Sequence, residues 1–199
     1  MTKRNFPHKN IRLHRSRYVG RISCFVTICC EERRRLFKNG ARANRIIEIL
    51  RSKSSACRFA VHAYCVMPDH VHILALGLEE GSDLLEFAKA FKQESQSEFP
   101  PQAPKRKAPT EKRAQTTRAT VAATKPALWQ KKFYDHILRP GEPCDAVAGY
   151  IWMNPVRAGL CTDPRDYPYS GSFTVDWKKI IRPLESWIPD WKRNSKTAA

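Results

Sequence analysis

The chain of 199 residues lacks several things that would have classified it early. No run approaches the roughly 18 consecutive apolar residues of a membrane span. The N-terminus has no apolar stretch of the secretory kind, being basic and broken by Pro7, so a cytoplasmic, nucleoid-associated protein with no membrane partner is expected. No Cys-x-x-Cys occurs, and the seven cysteines are odd in number and sit mostly in apolar runs. That argues against a zinc ribbon or a disulfide framework and for small buried hydrophobes in a reducing compartment. Acidic residues are absent from the first 21 positions, where Lys3, Arg4, Lys9, Arg12, Arg15 and Arg17, with Arg21 just beyond, read as a basic arm (1–20) for phosphates, the alternative being a solvated tail. Bulky apolar residues are nearly absent from 100–126, a Pro-, Lys- and Arg-rich stretch read as a flexible basic insertion.

What is present is charge of one sign. The formal net charge is +17 and the isoelectric point about 9.9. Such an excess opposes compaction by self-repulsion and points to a polyanionic partner, with nucleic acid first. The 42% of hydrophobic residues suffices for one core, assigned to residues 21–177 with a tail at 178–199.

The patterning suggests strands over Arg21–Cys30 and Arg58–Val66, the latter with Phe59, Val61, Ala63 and Cys65 alternating onto one face. Met67-Pro68-Asp69 is a turn, and His70–Leu76 returns as a third strand. The connection is too short for a parallel crossover, so the pair forms an antiparallel hairpin. Helices are expected over 41–52 and from Ser82 or Asp83 to near Phe99. A fourth strand covers 133–138 and a further helix 144–153, ended near Asn154-Pro155. The order is that of an α+β, ferredoxin-like antiparallel sheet with helices on one face, plus a C-terminal helix bearing Tyr150. Such a sheet leaves its other face open for a ligand.

The candidate chemistry sits in two places. Successive strand residues point to opposite faces, so His70 and His72 project side by side. Tyr150 and Asn154, four apart, share one helix face. A hard divalent ion, Mg²⁺ or Mn²⁺, accepts imidazole and amide oxygen and keeps positions open for phosphate oxygens. Spacing alone leaves the plainer alternative open, in which Tyr150 packs and Asn154 caps the helix. Tyr134, with His136 on the same strand face, is a rival nucleophile or a base-stacking residue. Trp129 and Tyr169 are further candidates for stacking on unpaired bases, against burial in the core. A zinc hydrolase would need a third strong ligand and a general base, neither evident, and an RNA-recognition domain would need aromatic strand motifs that are absent.

Three separated motifs resemble those of one family. They are Met67-Pro68-Asp69-His70-Val71-His72, the segment Trp129–Arg139 containing Phe133-Tyr134-Asp135-His136, and Tyr150-Ile151-Trp152-Met153-Asn154-Pro155-Val156-Arg157. With Asp166-Tyr167-Pro168-Tyr169-Ser170, they are similar to the REP-associated tyrosine transposases. That branch belongs to the single-strand DNA transposases with a histidine-hydrophobic-histidine motif. The resemblance runs from about Arg21 to Phe173. It implies metal ligation by His70, His72 and Asn154, and Tyr150 as the nucleophile that forms a 5′-phosphotyrosine. It also implies single-stranded or hairpin DNA as partner, and a monomer or homodimer. Arg12, Arg15, Arg17, Arg139 and Arg157 are the candidate phosphate contacts. A catalytically silent nucleic-acid binder of the same fold is the alternative. Pro155 disfavours helical geometry at Asn154, making it the weakest of the three ligands.

Overall fold

The structure is a computed structural model that describes residues 13–99 and 127–181. Arg12 and the 100–126 insertion lie outside the described residues. Strands β1 (Ser23–Cys29), β2 (Phe59–Met67), β3 (His70–Gly77), β4 (Tyr134–Ile137) and β5 (Ser170–Gly171) form one antiparallel sheet in the order β4-β1-β3-β2-β5. Helices α1 (Gly40–Ala56) and α2 (Leu84–Glu98) cover one face. The short β5 closes the β2 edge.

Each helix starts where its cap is. The Asn39 side chain accepts from the Arg42 N–H to open α1, and Asp83 accepts from Leu85 and Glu86 to open α2. The buried positions Ala43, Ile46, Ile49 and Leu50 on α1, and Leu84, Phe87, Ala88 and Phe91 on α2, follow the helical period. All of these but Ala88 share one cluster with Cys24, Val26 and Ile28 of β1 and Val71, Ile73 and Ala75 of β3. Trp129, a stacking candidate by sequence, belongs to this core instead: it packs on Phe37 and Phe91, and its indole N–H donates to Ser95 Oγ at 2.7 Å. A ring only 3% exposed and packed on two others has no face left for a base.

Two expectations change. The β2 residues Phe59, Val61, Ala63 and Cys65 do not share a face. The register against β3 shifts between Val61 and Ala63, leaving His62 as the extra residue of a bulge. Phe59 and Val61 therefore face α1 and α2, whereas Ala63, Cys65 and Met67 face the opposite side. That opposite side is also not left open. Helix α3 (Cys144–Trp152) lies on it, packing Val147, Ala148 and Ile151 against Phe25, Ala63, Cys65 and Leu74. The chain does not stop at Pro155 but restarts as a short turn of helix, α4 (Asn154–Arg157), with the proline in its first turn, where a missing N–H costs nothing. A final turn, α5 (Trp177–Ile180), stacks Trp177 on Trp152. Tyr18 and Ile181 are buried too, so packing takes in a few residues beyond the 21–177 span.

Candidate active site

The β2–β3 turn is fixed before any chemistry begins. The carbonyls of Pro68 and Asp69 accept from the N–H groups of Phe37 and Cys30 at 2.9 and 2.8 Å. The strand that leaves this turn is paired on both sides, with Thr27 of β1 and Cys65 of β2 flanking His72. A strand held between two neighbours has little freedom to rotate, so His70 and His72 are carried on a rigid base.

Their rings converge. His70 Nε2 and His72 Nε2 are 3.0 Å apart, and each Nδ1 is held from outside. Asp69 Oδ1 lies 2.6 Å from His70 Nδ1, and Thr27 Oγ1 lies 2.8 Å from His72 Nδ1. An ionised carboxylate can only accept, so Asp69 accepts from the Nδ1–H of His70, which leaves the ring's lone pair on Nε2. When Thr27 Oγ1 accepts from His72, a second lone pair faces the first. Two facing lone pairs repel, and a cation between them turns that repulsion into attraction. The spacing agrees: two nitrogens about 2.1 Å from one ion and at a right angle are about 3.0 Å apart. A carboxylate or hydroxyl on the distal nitrogen is also the usual support of a metal-bound histidine. The pair therefore fits a divalent ion. Among the described residues no group of three or more His, Cys, Asp or Glu is placed to hold one, so the protein's further ligands would be of another type or come from substrate.

Tyr150 lies on α3 over the same face. Its ring centroid is 6.4 Å from that of His72 and 6.1 Å from that of Phe25, edge-on in both cases. Burial raises its pKa above the ordinary tyrosine value, and the Arg157 guanidinium opposes that rise. Arg157 stacks over the Tyr150 ring at 4.2 Å and also donates to the Tyr150 carbonyl. Asn154 turns its Nδ2 back onto the carbonyls of Tyr150 and Ile151 at 2.9 and 3.3 Å. It closes the end of α3 and keeps its amide oxygen for another partner.

β4 adds a second tyrosine to this face. Tyr134 pairs with Thr27, and His136 with Phe25. Tyr134 is 41% exposed, and its phenol is pushed up to about 12 by burial of part of the ring and by Asp135, Tyr150 and Glu142. His136 Nε2 bonds Glu142 Oε2 at 2.8 Å. The Arg139 N–H and the His136 ring hold Glu142 below the usual carboxylate range, against the upward push of burial.

The candidate arginines divide. Arg17 and Arg139 line one groove of about 450 Å³ at the β4 edge, together with Arg21. Arg15 is committed to Asp83 at 2.8 Å, at the start of α2. Arg157 stands over Tyr150. Sequence reasoning missed Thr27 and Asp69 as histidine partners and Glu142 as partner of His136. Asp69 had a local signal in its place beside His70. Thr27 had none, since only strand register brings it to His72.

A sequence profile described as "Transposase IS200 like" matches residues 18–154. The chain belongs to this transposase family, and within it to the REP-associated tyrosine transposases. It is 33% identical over 136 residues to a putative REP-associated tyrosine transposase of Haemophilus influenzae, covering 67% of this chain and 70% of that one. It is 25% identical over 127 residues to the REP-associated tyrosine transposase of Escherichia coli, of whose length it spans 62%. Its fold is similar to a solved REP-associated tyrosine transposase bound to a REP hairpin, with TM-score 0.60, 20% identity and 90% of each chain covered. Among the described residues, no helix is long and apolar enough to cross a membrane.

Proposed function

We propose that this protein binds hairpin DNA and breaks and rejoins an adjoining single strand through a 5′-phosphotyrosine on Tyr150. The observation that carries the reading is the convergence of His70 and His72, each fixed by an oxygen at its distal nitrogen, with the Tyr150 ring edge-on to His72. His70 and His72 would hold Mg²⁺ or Mn²⁺, with the Asn154 amide oxygen as third ligand, and the bound ion would act as a Lewis acid toward a phosphate oxygen.

The chain's own groups supply the remainder. The phenol oxygen of Tyr150 attacks phosphorus, a P–O bond to tyrosine forms, and the bond to the 3′-oxygen breaks. The phenolic proton is released and the departing 3′-oxygen takes one up, so protons balance over the step. One phosphodiester replaces another, and the liberated 3′-hydroxyl can reverse the reaction without a nucleotide triphosphate. Arg157 favours the phenolate by lying against the ring. Arg17 and Arg139 offer a cationic groove for duplex phosphates, a contact that positions without reading sequence.

The test is cleavage of a hairpin oligonucleotide drawn from repeats near the protein's own coding region, with Mg²⁺ or Mn²⁺ against EDTA. A metal-dependent covalent adduct that persists in Tyr134→Phe and vanishes in Tyr150→Phe is expected. Loss in Tyr134→Phe alone would move the nucleophile to β4. Salt-sensitive binding with no adduct on any hairpin would leave a nucleic-acid binder without chemistry.

A further inference from the structure

A second concavity, of about 300 Å³, opens beside His70 and is lined by Arg33, Arg35, Met67, Pro68, Asp69, Ala158 and Leu160. We propose that it grips a phosphate of the DNA strand that departs with the 3′-hydroxyl, with Arg33 and Arg35 as the gripping groups. The inference rests on the strand-transfer reading above and adds where the leaving strand goes.

The groove pairs cations with an apolar floor. Arg33 and Arg35 flank it, while Met67, Pro68, Ala158 and Leu160 offer no charge, so a sugar–phosphate segment would meet apolar wall and guanidinium together. The turn that presents these arginines is unusual. Glu32 and Arg33 are consecutive non-glycine residues with φ of 53° and 54°, in the left-handed region that side chains rarely occupy. Such backbone persists only where its surroundings hold it. Here the N–H groups of Arg33 and Arg34 donate to Cys30 and Glu31, while the neighbouring Phe37 N–H is tied to the histidine turn at Pro68. The result aims Arg33 along the site: its guanidinium reaches Cys29 Sγ at 3.1 Å and Asp69 Oδ2 at 3.5 Å, yet the side chain stays 55% exposed. Both contacts are made by Nη1, so the guanidinium, with five N–H donors, keeps others for an incoming anion beside the Asp69 carboxylate.

Direction follows from the register. The Tyr150 ring meets the histidine pair from the side of Phe25, which is paired with Leu74. His70 lies two residues from His72 in the opposite sense along β3, roughly 7 Å on, and the groove opens beyond it. Displacement at phosphorus is in line, with the attacking and leaving oxygens on opposite sides. A nucleophile arriving from the Phe25 side therefore sends the 3′-oxygen toward the groove, where a held strand end would stay ready for the reverse reaction.

The experiment uses the full chain and an oligonucleotide whose cleavage position is known from the covalent adduct. Single phosphates on either side of that position are replaced in turn by neutral methylphosphonates. Binding is measured for the parent, Arg33→Ala, Arg35→Ala and the double variant, all with Tyr150→Phe to prevent turnover. In the parent background one or two phosphates 5′ to the cleavage position should be sensitive. The double variant should bind the unmodified strand about tenfold more weakly, with a salt slope smaller by about 1 to 2, and lose that sensitivity. Lysine at both positions should restore part of the affinity, and Mn²⁺ affinity measured without DNA should match the parent. Sensitivity that survives in the double variant, or that lies 3′ to the cleavage position, overturns the assignment. Weaker Mn²⁺ binding with an unchanged methylphosphonate pattern overturns it as well, because Arg33 would then act through Asp69 on His70. Failure of the chain with intact Tyr150 to form any adduct sinks the strand-transfer reading itself, and this inference with it.

Discussion

The two faces of the sheet are made by the same strands and do opposite things. Toward α1 and α2, β1 and β3 send Cys24, Val26, Ile28, Val71, Ile73 and Ala75 into a continuous apolar core. Toward α3 they send Phe25, Thr27, His70, His72 and Leu74, so polar groups sit among apolar ones. The first face repays the cost of folding by removing apolar surface from water. The second spends part of that gain on buried polar atoms, each of which needs a partner. His72, only 4% exposed, would be costly if bare, and Thr27 is what makes it tolerable. A rigid apolar face is thus what allows the other to hold two ring nitrogens 3.0 Å apart.

The contrast breaks most heavily at the apolar face. Phe91→Ala removes a fully buried ring between α2 and Trp129 and should cost about 3–5 kcal/mol of stability. Any protein still folded should form adduct with unchanged metal dependence, measured below its lowered melting temperature.

Thr27→Val acts on the other face and separates support from packing. It keeps the shape of the side chain and removes the oxygen at His72 Nδ1. Mn²⁺ affinity, read by calorimetry on the DNA-free protein, should fall about 10- to 100-fold, the scale on which such supporting bonds act. Melting should change far less than in Phe91→Ala.

Arg157→Ala should slow adduct formation about tenfold near neutral pH, or ~1.4 kcal/mol of barrier. Arg157 holds down a tyrosine pKa that burial raises, so its loss moves the rising limb of the pH–rate profile to higher pH. Rates measured at rising pH should approach those of the parent.

The smallest effect is expected from Tyr134→Phe. Its folded pKa of about 12 exceeds the ordinary value near 10, so the native state favours the neutral phenol. This contribution to stability is full below about pH 10 and is lost as pH climbs toward 12. Absorbance titration of the phenols should show one high-pH step that disappears in Tyr134→Phe, with adduct yield nearly unchanged.

Much of the fold could be read along the chain, since local rules govern it. The antiparallel hairpin around Pro68-Asp69, the Asp83 cap and the shared face of His70 and His72 all follow from periodicity and turn chemistry within a few residues. The β2 alternation misled because a bulge adds one residue without any change of composition. His62 carries no mark that distinguishes it from its neighbours in an ordinary strand. By sequence Asn154 suits both a cap and a ligand. Its Nδ2 does the first, and its oxygen is left to the proposal above.

The sequence by itself determined the main elements, the cationic character and, where no bulge intervenes, which side chains share a strand or helix face, because a backbone period of two or 3.6 is a local property. Only the tertiary structure decided what those side chains meet. Thr27 reaches His72 across 45 residues of chain, and Tyr18 reaches Asp135 across 117, each through strand register or core packing. The convergence of two Nε2 atoms depends on χ angles fixed by such distant partners. Arg33 turns toward Asp69 from a left-handed turn whose flanks, Cys30 and Phe37, are bonded to a separate hairpin. Contacts of that range are set by the packing of the whole sheet and leave no periodic trace in the chain.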